Sequence, residues 1–169
     1  MFSLDRLDTD LIDLLGRNAR MGVAELATTL GVARNTIQSR LRRLEDGGLL
    51  RGFRPDIDLA AAGLTAEAFV ALEVQQGRLK QIVEALTEIP EVLEVHATTG
   101  REDLLVRVAT ETHADLQQLV EQMIGIPGVM HSSTTLALTT PLPYRVQPLL
   151  DKLTHTRGWG RSTPAPREH

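Results

Sequence analysis

Between Ala33 and Phe53 the chain places five arginines and two acids, and Arg54 follows directly. Arg34, Asn35, Thr36, Gln38, Ser39, Arg40, Arg42 and Arg43 all fall within one ten-residue stretch. Guanidinium groups bind phosphate oxygens, and Asn, Gln and Ser side chains both donate and accept at base edges. Ile37, Leu41 and Leu44 recur at i, i+4 and i+7 through the same stretch, so it is predicted to be a helix with one apolar side. The opposite side then presents Asn35, Gln38, Ser39, Arg42 and Arg43. Such a face is either simply solvated or laid against a nucleic acid. Short polar groups that can read base edges, mixed with arginines, favour the second reading, because solubility alone does not call for them. Arg34, Asn35, Gln38 and Ser39, with Thr36 beside them, are therefore assigned to base reading. Arg40, Arg42, Arg43, Arg51 and Arg54 are assigned to the phosphate backbone. Arg40 lies near the apolar stripe and could instead pair with an acid inside its own module.

These side chains need a scaffold, and the preceding residues supply one. Leu4, Leu7, Leu11, Leu14 and Leu15 recur at helical spacing, with Asp5 placed to cap and Asp8 three residues on. Asn18-Ala19-Arg20 breaks that helix. Val23, Leu26, Ala27 and Leu30 mark a short second helix, with Gly22 and Glu25 as half of a capping box and Gly31 at its end. The arginine-rich helix follows at once and stops at Gly47-Gly48, after which Leu49 to Phe53 reads as a short strand or wing. Two short helices joined by a tight glycine-containing turn predict a helix-turn-helix. This DNA-binding module is assigned to residues 1–53, with a linker or hinge strand over 54–64.

Residues 65–140 show a different rhythm. Strands are predicted at 65–74, 92–98, 104–109 and 129–138, and helices at about 79–89 and around Leu116, Leu119, Val120 and Met123. The order β-α-β-β-α-β is the ferredoxin-like arrangement: a four-stranded antiparallel sheet with two helices on one face. The other face, with Phe69, Ala71 and Leu105, is left for a second subunit to cover. The fold class is thus α+β, with an N-terminal winged helix-turn-helix joined to a ferredoxin-like βαββαβ domain. Residues 141–169 hold five prolines and are read as a tail, disordered from about Thr156, with at most a short helix near Leu149–Leu153 and with Trp159 as ordinary tail composition.

Charge separates the modules. Residues 1–60 balance to zero, 61–140 carry a net of −7 and 141–169 a net of +3. The absence of cysteine excludes disulfides and thiol chemistry. With 3% aromatic residues there are too few rings for a stacking platform that would hold single strands. No apolar run is long enough for a bilayer span and no hydrophobic leader opens the chain, so a cytoplasmic protein without a membrane partner is expected. The five histidines are scattered with no metal-ligand spacing, and no nucleophile-base pair or phosphate loop is visible, so neither an enzyme nor a cofactor is expected.

LDRLDTDLIDLLGRNAR, AELATTLGVARNTIQSRLRRLEDGGLLRGF and TTGREDLLVRV together resemble the Lrp/AsnC family of transcriptional regulators, over residues 4 to about 140. The resemblance implies that the second module is the family's RAM domain. It implies homodimers that assemble further, up to octamers, on double-stranded DNA, and an amino acid as effector. The effector site that it implies comprises Thr98, Thr99, Gly100, Arg101 and Asp103 on the turn between the middle strands, and Thr134 and Thr135 on the last strand. Gly100 permits a tight turn, Asp103 can accept from an ammonium group and Arg101 can hold a carboxylate. Asp103 as a turn-capping carboxylate and Ser132 to Thr135 as a plain solvent-facing strand are the competing readings. His96, which precedes the turn, is read as an ordinary satisfied histidine. Two departures stand out. Ala33 replaces the family's capping Ser, and Arg101-Glu102 replaces its Asp-Tyr. The alternative function is a ligand-independent or architectural DNA-binding protein of the same fold.

Overall fold

The computed structural model describes residues 3–159. The chain forms two compact units, one made of Met1–Pro55 with Pro143–His169 and the other of Asp56–Leu142.

The first unit begins with α1 (Arg6–Arg17), α2 (Val23–Leu30) and α3 (Arg34–Asp46). Asp5 and Asp8 form a full capping box at the start of α1: each carboxylate accepts from the other residue's backbone N–H, at 3.0 and 3.1 Å. The box satisfies two of the donors that a helix start leaves unpaired. Gly22 stands at the start of α2 without any side-chain cap, so the expected half-box with Glu25 does not form. Gly31 closes α2 in the left-handed conformation, φ 65°, where a side chain would be strained. This lets the chain turn sharply into α3. Leu7, Leu11, Leu26, Ile37 and Leu44 are almost completely buried together. Each contributes about 1.5–3 kcal/mol by leaving water.

Of the alternatives expected for this region, the strands do not form. Leu49 to Phe53 forms no strand, and neither does the 54–64 segment, which runs without regular structure and then winds through turns at 59–63. Both are short on alternating apolar residues, and among the described residues no neighbouring strand pairs with them.

The C-terminal segment also departs from expectation. A helix α6 (Gln147–Thr154) packs on α1. The Thr154 hydroxyl donates to Thr9 Oγ1 at 3.1 Å in a buried pair, and Gln147 Nε2 donates to the Thr9 carbonyl at 3.3 Å. Beyond the helix, Arg157 donates to the Leu4 carbonyl at 2.7 Å, and Trp159 is 6% exposed within the same core as Leu7 and Leu11. Residues 143–159 are therefore part of the first unit rather than a loose tail. The remainder of the expected disordered stretch, 160–169, lies outside the described residues.

The second unit has β1 (Ala66–Val74), α4 (Leu79–Thr87), β2 (Val92–Ala97), β3 (Leu104–Thr110), α5 (His113–Ile124) and β4 (Val129–Leu136). All pairings are antiparallel, in the order β2-β3-β1-β4. Ala68, Val70 and Leu72 of β1 and Leu104, Val106 and Val108 of β3 alternate inward, against Ile82 and Leu86 of α4 and Leu116, Leu119 and Met123 of α5. Both helices thus cover one face of the sheet, as period-two patterning requires. On the open face Phe69 is 37% exposed, and Ala71 and Leu105 are half-buried beside the Arg107–Glu67 pair at 2.8 Å.

Candidate nucleic-acid interface and effector turn

The helix α3 presents its two sides to different surroundings. Ile37 and Leu44 are fully buried against α1 and α2. Arg34, Asn35, Gln38, Ser39 and Arg42 are exposed, and Thr36 is half-buried. Among the described residues none of the side chains of Arg34, Asn35, Gln38, Ser39 or Arg42 has an intramolecular partner. A helix whose outer donors and acceptors are all free is suited to engaging a surface rich in both. Ala33 begins α3 without a side-chain cap, the consequence expected from its methyl group.

Arg40 and Arg43 do not belong to that outer face. Arg40 Nη1 donates to Asp5 Oδ2 and, at 3.1 Å, to Asp8 Oδ1, while Arg43 Nη2 donates to Asp8 Oδ2 and its Nη1 to the Ser3 carbonyl at 3.2 Å. The Asp8 side chain is completely buried and that of Arg40 is 17% exposed. Burial pushes the Asp8 carboxyl up, but Arg43, the Asp5 backbone N–H and Arg40 outweigh it and hold the pKa below the ordinary carboxylate value. Burial likewise works against the Arg40 charge, and Asp5 and Asp8 more than offset it, so Arg40 titrates above its usual value. Arg40, expected either at phosphate or paired with an acid inside its own module, takes the second place, and Arg43, expected at phosphate, is paired with Asp8 while its side chain stays 41% exposed. The four arginines from 34 to 43 look alike by charge, but helical rotation turns these two back toward α1. A signal for this was present: Asp8 stands among Leu4, Leu7 and Leu11, and a carboxylate on an apolar stripe demands a cation from whatever packs there.

Arg51 and Arg54 are exposed and border a groove of about 540 Å³ lined by Ile12, Leu50, Phe53, Tyr144 and Leu150. They flank α3 in sequence but stand on irregular backbone rather than on a β-wing.

In the second unit the turn from Thr98 to Asp103 is internally braced. The Thr98 N–H donates to the Asp103 carbonyl at 2.9 Å, and the Thr98 hydroxyl to the Glu102 carbonyl at 2.6 Å. Asp103 Oδ2 accepts from the Val74 N–H at 2.8 Å, where β1 loses register with β4. The carboxylate thus ties this turn to the end of β1 rather than capping the turn itself. Gly100 has φ 133°, and a methyl group there would meet nothing within 4 Å, so conformation rather than crowding calls for glycine. Thr99, Gly100 and Arg101 are exposed.

Thr134 and Thr135 were expected to line one wall, but they face opposite ways. Thr134 pairs with buried Val70 and lines a mostly apolar groove of about 410 Å³ with His113, Leu116, Val120 and Leu136, whereas Thr135 pairs with Phe69 on the open face. Successive residues of a strand cannot share a face. The groove that holds Thr134 includes none of the turn residues. His96, also on an exposed strand, approaches Glu94 at 3.5 Å.

Comparison with known proteins places this geometry. Residues 4–45 match the AsnC-type helix-turn-helix domain and residues 67–147 the Lrp/AsnC ligand binding domain. The HTH-type transcriptional regulator FL11 of Pyrococcus horikoshii is 31% identical over 147 residues, covering 84% of this chain and 97% of that protein. The HTH-type transcriptional regulator AldR of Mycobacterium tuberculosis is 34% identical over 125 residues, covering 72% and 70%. Among solved structures, Escherichia coli AsnC superposes with a TM-score of 0.80 at 26% identity, over 87% of this chain and all of that one. A Neisseria meningitidis transcriptional regulator in complex with L-Met gives a TM-score of 0.79 at 21% identity, over 87% and 99%. The relatives are transcriptional regulators rather than enzymes, and the chain belongs to the Lrp/AsnC family of helix-turn-helix transcriptional regulators.

Proposed function

We propose that this chain recognises specific sites on double-stranded DNA and that a small effector, an amino acid, alters its assembly or its affinity for DNA. The observation that carries the first half is the outer face of α3, where Asn35, Gln38, Ser39, Arg34 and Arg42 are exposed and unpartnered among the described residues. A helix of this kind enters the major groove by its N-terminal half, and flanking arginines contact phosphates. Arg42, Arg51 and Arg54 fill that role here.

The second half is supported by the match to a ligand-binding domain over residues 67–147 and by the L-Met complex of a protein with the same fold. The turn offers exposed Thr99, Gly100 and Arg101 to a ligand, with Thr98 and Asp103 holding its shape. The open sheet face, with Phe69, Ala71 and Leu105, suits a second copy of the chain, so a homodimer is the unit proposed to bind DNA. The ligand-independent alternative draws on one observation. The Asp103 carboxylate already accepts from Val74 N–H and Thr98 already donates within the turn, which leaves fewer groups for a ligand.

A thermal-shift panel of the twenty amino acids separates the two. A ligand that binds only the native state raises the melting temperature by mass action. One amino acid that does so, and fails to do so in Arg101→Ala, supports an effector at the turn. No shift at about 100 times a micromolar Kd, where mass action gives about 2.7 kcal/mol, supports the ligand-independent reading.

A further inference from the structure

The capping box of α1 is also the anchor of α3. Every carboxylate oxygen of Asp5 and Asp8 is engaged. Asp5 Oδ1 accepts from the Asp8 N–H at 3.0 Å and Asp5 Oδ2 from Arg40. Asp8 Oδ2 accepts from the Asp5 N–H at 3.1 Å and from Arg43, and Asp8 Oδ1 from Arg40 at 3.1 Å. The two arginines are three residues apart on α3, almost one helical turn, so two points on its axis are fixed to one end of α1. Apolar contacts through Ile37 and Leu44 are non-directional and tolerate sliding or rolling of one helix on another. Charge-assisted hydrogen bonds from a planar guanidinium to two carboxylates tolerate neither.

We propose that Asp5, Asp8, Arg40 and Arg43 are positioning residues for DNA recognition: they form a bracket that fixes the roll of α3 about its axis, and thereby which of Asn35, Gln38 and Ser39 meet base edges. This rests on the DNA-binding reading of α3 and deepens it. The four groups touch no base themselves. Removing Arg40 rolls the helix within an otherwise intact core. Phosphate attraction, which tolerates displacement, survives such a roll, whereas base contacts do not.

The test uses the full chain on two duplexes of equal length, one carrying a selected binding site and one of random sequence, each across a salt titration. Wild type, Arg40→Gln, Asp5→Asn and the double variant are compared with Arg42→Ala. Asp5→Asn retains a good N-cap acceptor and is therefore the variant that keeps the fold if Arg40→Gln weakens it; circular dichroism and melting temperature establish folding. The expected result is a loss of about tenfold or more on the selected site, with less than about twofold on random DNA and no change in salt slope. Arg42→Ala should instead lower the slope by about one. Arg40→Gln should add less in the Asp5→Asn background than in wild type, because both break the Arg40–Asp5 contact and only the Arg40–Asp8 contact is left to lose. A salt slope that falls by about one in Arg40→Gln, with equal losses on both duplexes, would make Arg40 a phosphate contact and overturn the proposal. So would an unchanged ratio between selected and random DNA in folded Asp5→Asn. Wild-type protein that binds neither duplex would overturn the DNA-binding reading itself, a separate outcome.

Discussion

At the scale of single residues, the same charge has three fates in this chain. Arg42 is exposed on α3 and free to meet phosphate, Arg40 is held inside a carboxylate bracket, and Arg107 pairs with Glu67 on the open sheet face, where that hydrogen bond raises its pKa. Two aspartates two residues apart on α1 have opposite titration behaviour. Asp8 titrates below the ordinary carboxylate value because its arginine and backbone donors outweigh burial. Its contribution to stability is therefore complete above about pH 3.9 and lost as pH falls through the lowered value. Asp10 titrates above its ordinary value, because burial, aided by Asp151 and Asp13, outweighs Arg6 and the Trp159 indole. Its charge therefore costs stability, and that cost sets in as pH rises from about 3.9 through the raised value. Asp10→Asn is expected to raise the melting temperature at neutral pH, and the gain should shrink as pH is lowered through the raised value and Asp10 takes up its proton. Asp8→Asn is expected to cost on the order of 2–3 kcal/mol at neutral pH in denaturant titrations. That is below the full value for a broken buried pair, because Arg43 is 41% exposed and partly screened.

Elements show where local pattern is sufficient and where it is not. The helix-turn-helix and the βαββαβ order were legible because α1, α3, β1 and β3 each repeat apolar residues at one clear period, and because Gly31 and the Gly47-Gly48 pair mark ends. The docking of α6 was not legible. Its eight residues, one of them proline, carry too little pattern, and the partner of Gln147 and Thr154 is Thr9, well over a hundred residues away in sequence. Trp159 looked like tail composition for the same reason, yet it closes the core around Leu7 and Leu11. The candidate site was half legible: the free face of α3 followed from helical period, whereas the inward turn of Arg40 and Arg43 depends on which helix lies opposite. As the chain's one tryptophan, Trp159 should show blue-shifted emission in the native protein and shift to the red when the first unit unfolds. Trp159→Ala should destabilise that unit by about 3 kcal/mol, read from its denaturation midpoint by circular dichroism. Emission already that of an exposed indole in buffer would contradict the docking of residues 143–159.

At the scale of the whole molecule, charge and function divide along the same boundary. Residues 1–60 are neutral overall, with six of their nine arginines on α3 and the segment after it, and residues 61–140 are strongly acidic. The acidic unit repels a phosphate backbone, so the first unit is left to bind it. In the proposed homodimer the open sheet face of the second unit is where the two copies meet. Phe69→Asp at the centre of that face should convert the assembled protein to a slower-sedimenting monomer with an unchanged far-UV spectrum. Sedimentation identical to wild type would place the interface elsewhere.

The most direct measurement is selection of binding sites from a random double-stranded DNA library by wild type and by Gln38→Ala in parallel. For wild type the expected result is a pseudo-palindrome with half-sites about one helical turn, or a multiple of it, apart. For Gln38→Ala the same spacing should return, with preference relaxed at one position in each half-site. Enrichment of no motif by wild type, or an identical motif from Gln38→Ala, would contradict base reading by the exposed face of α3.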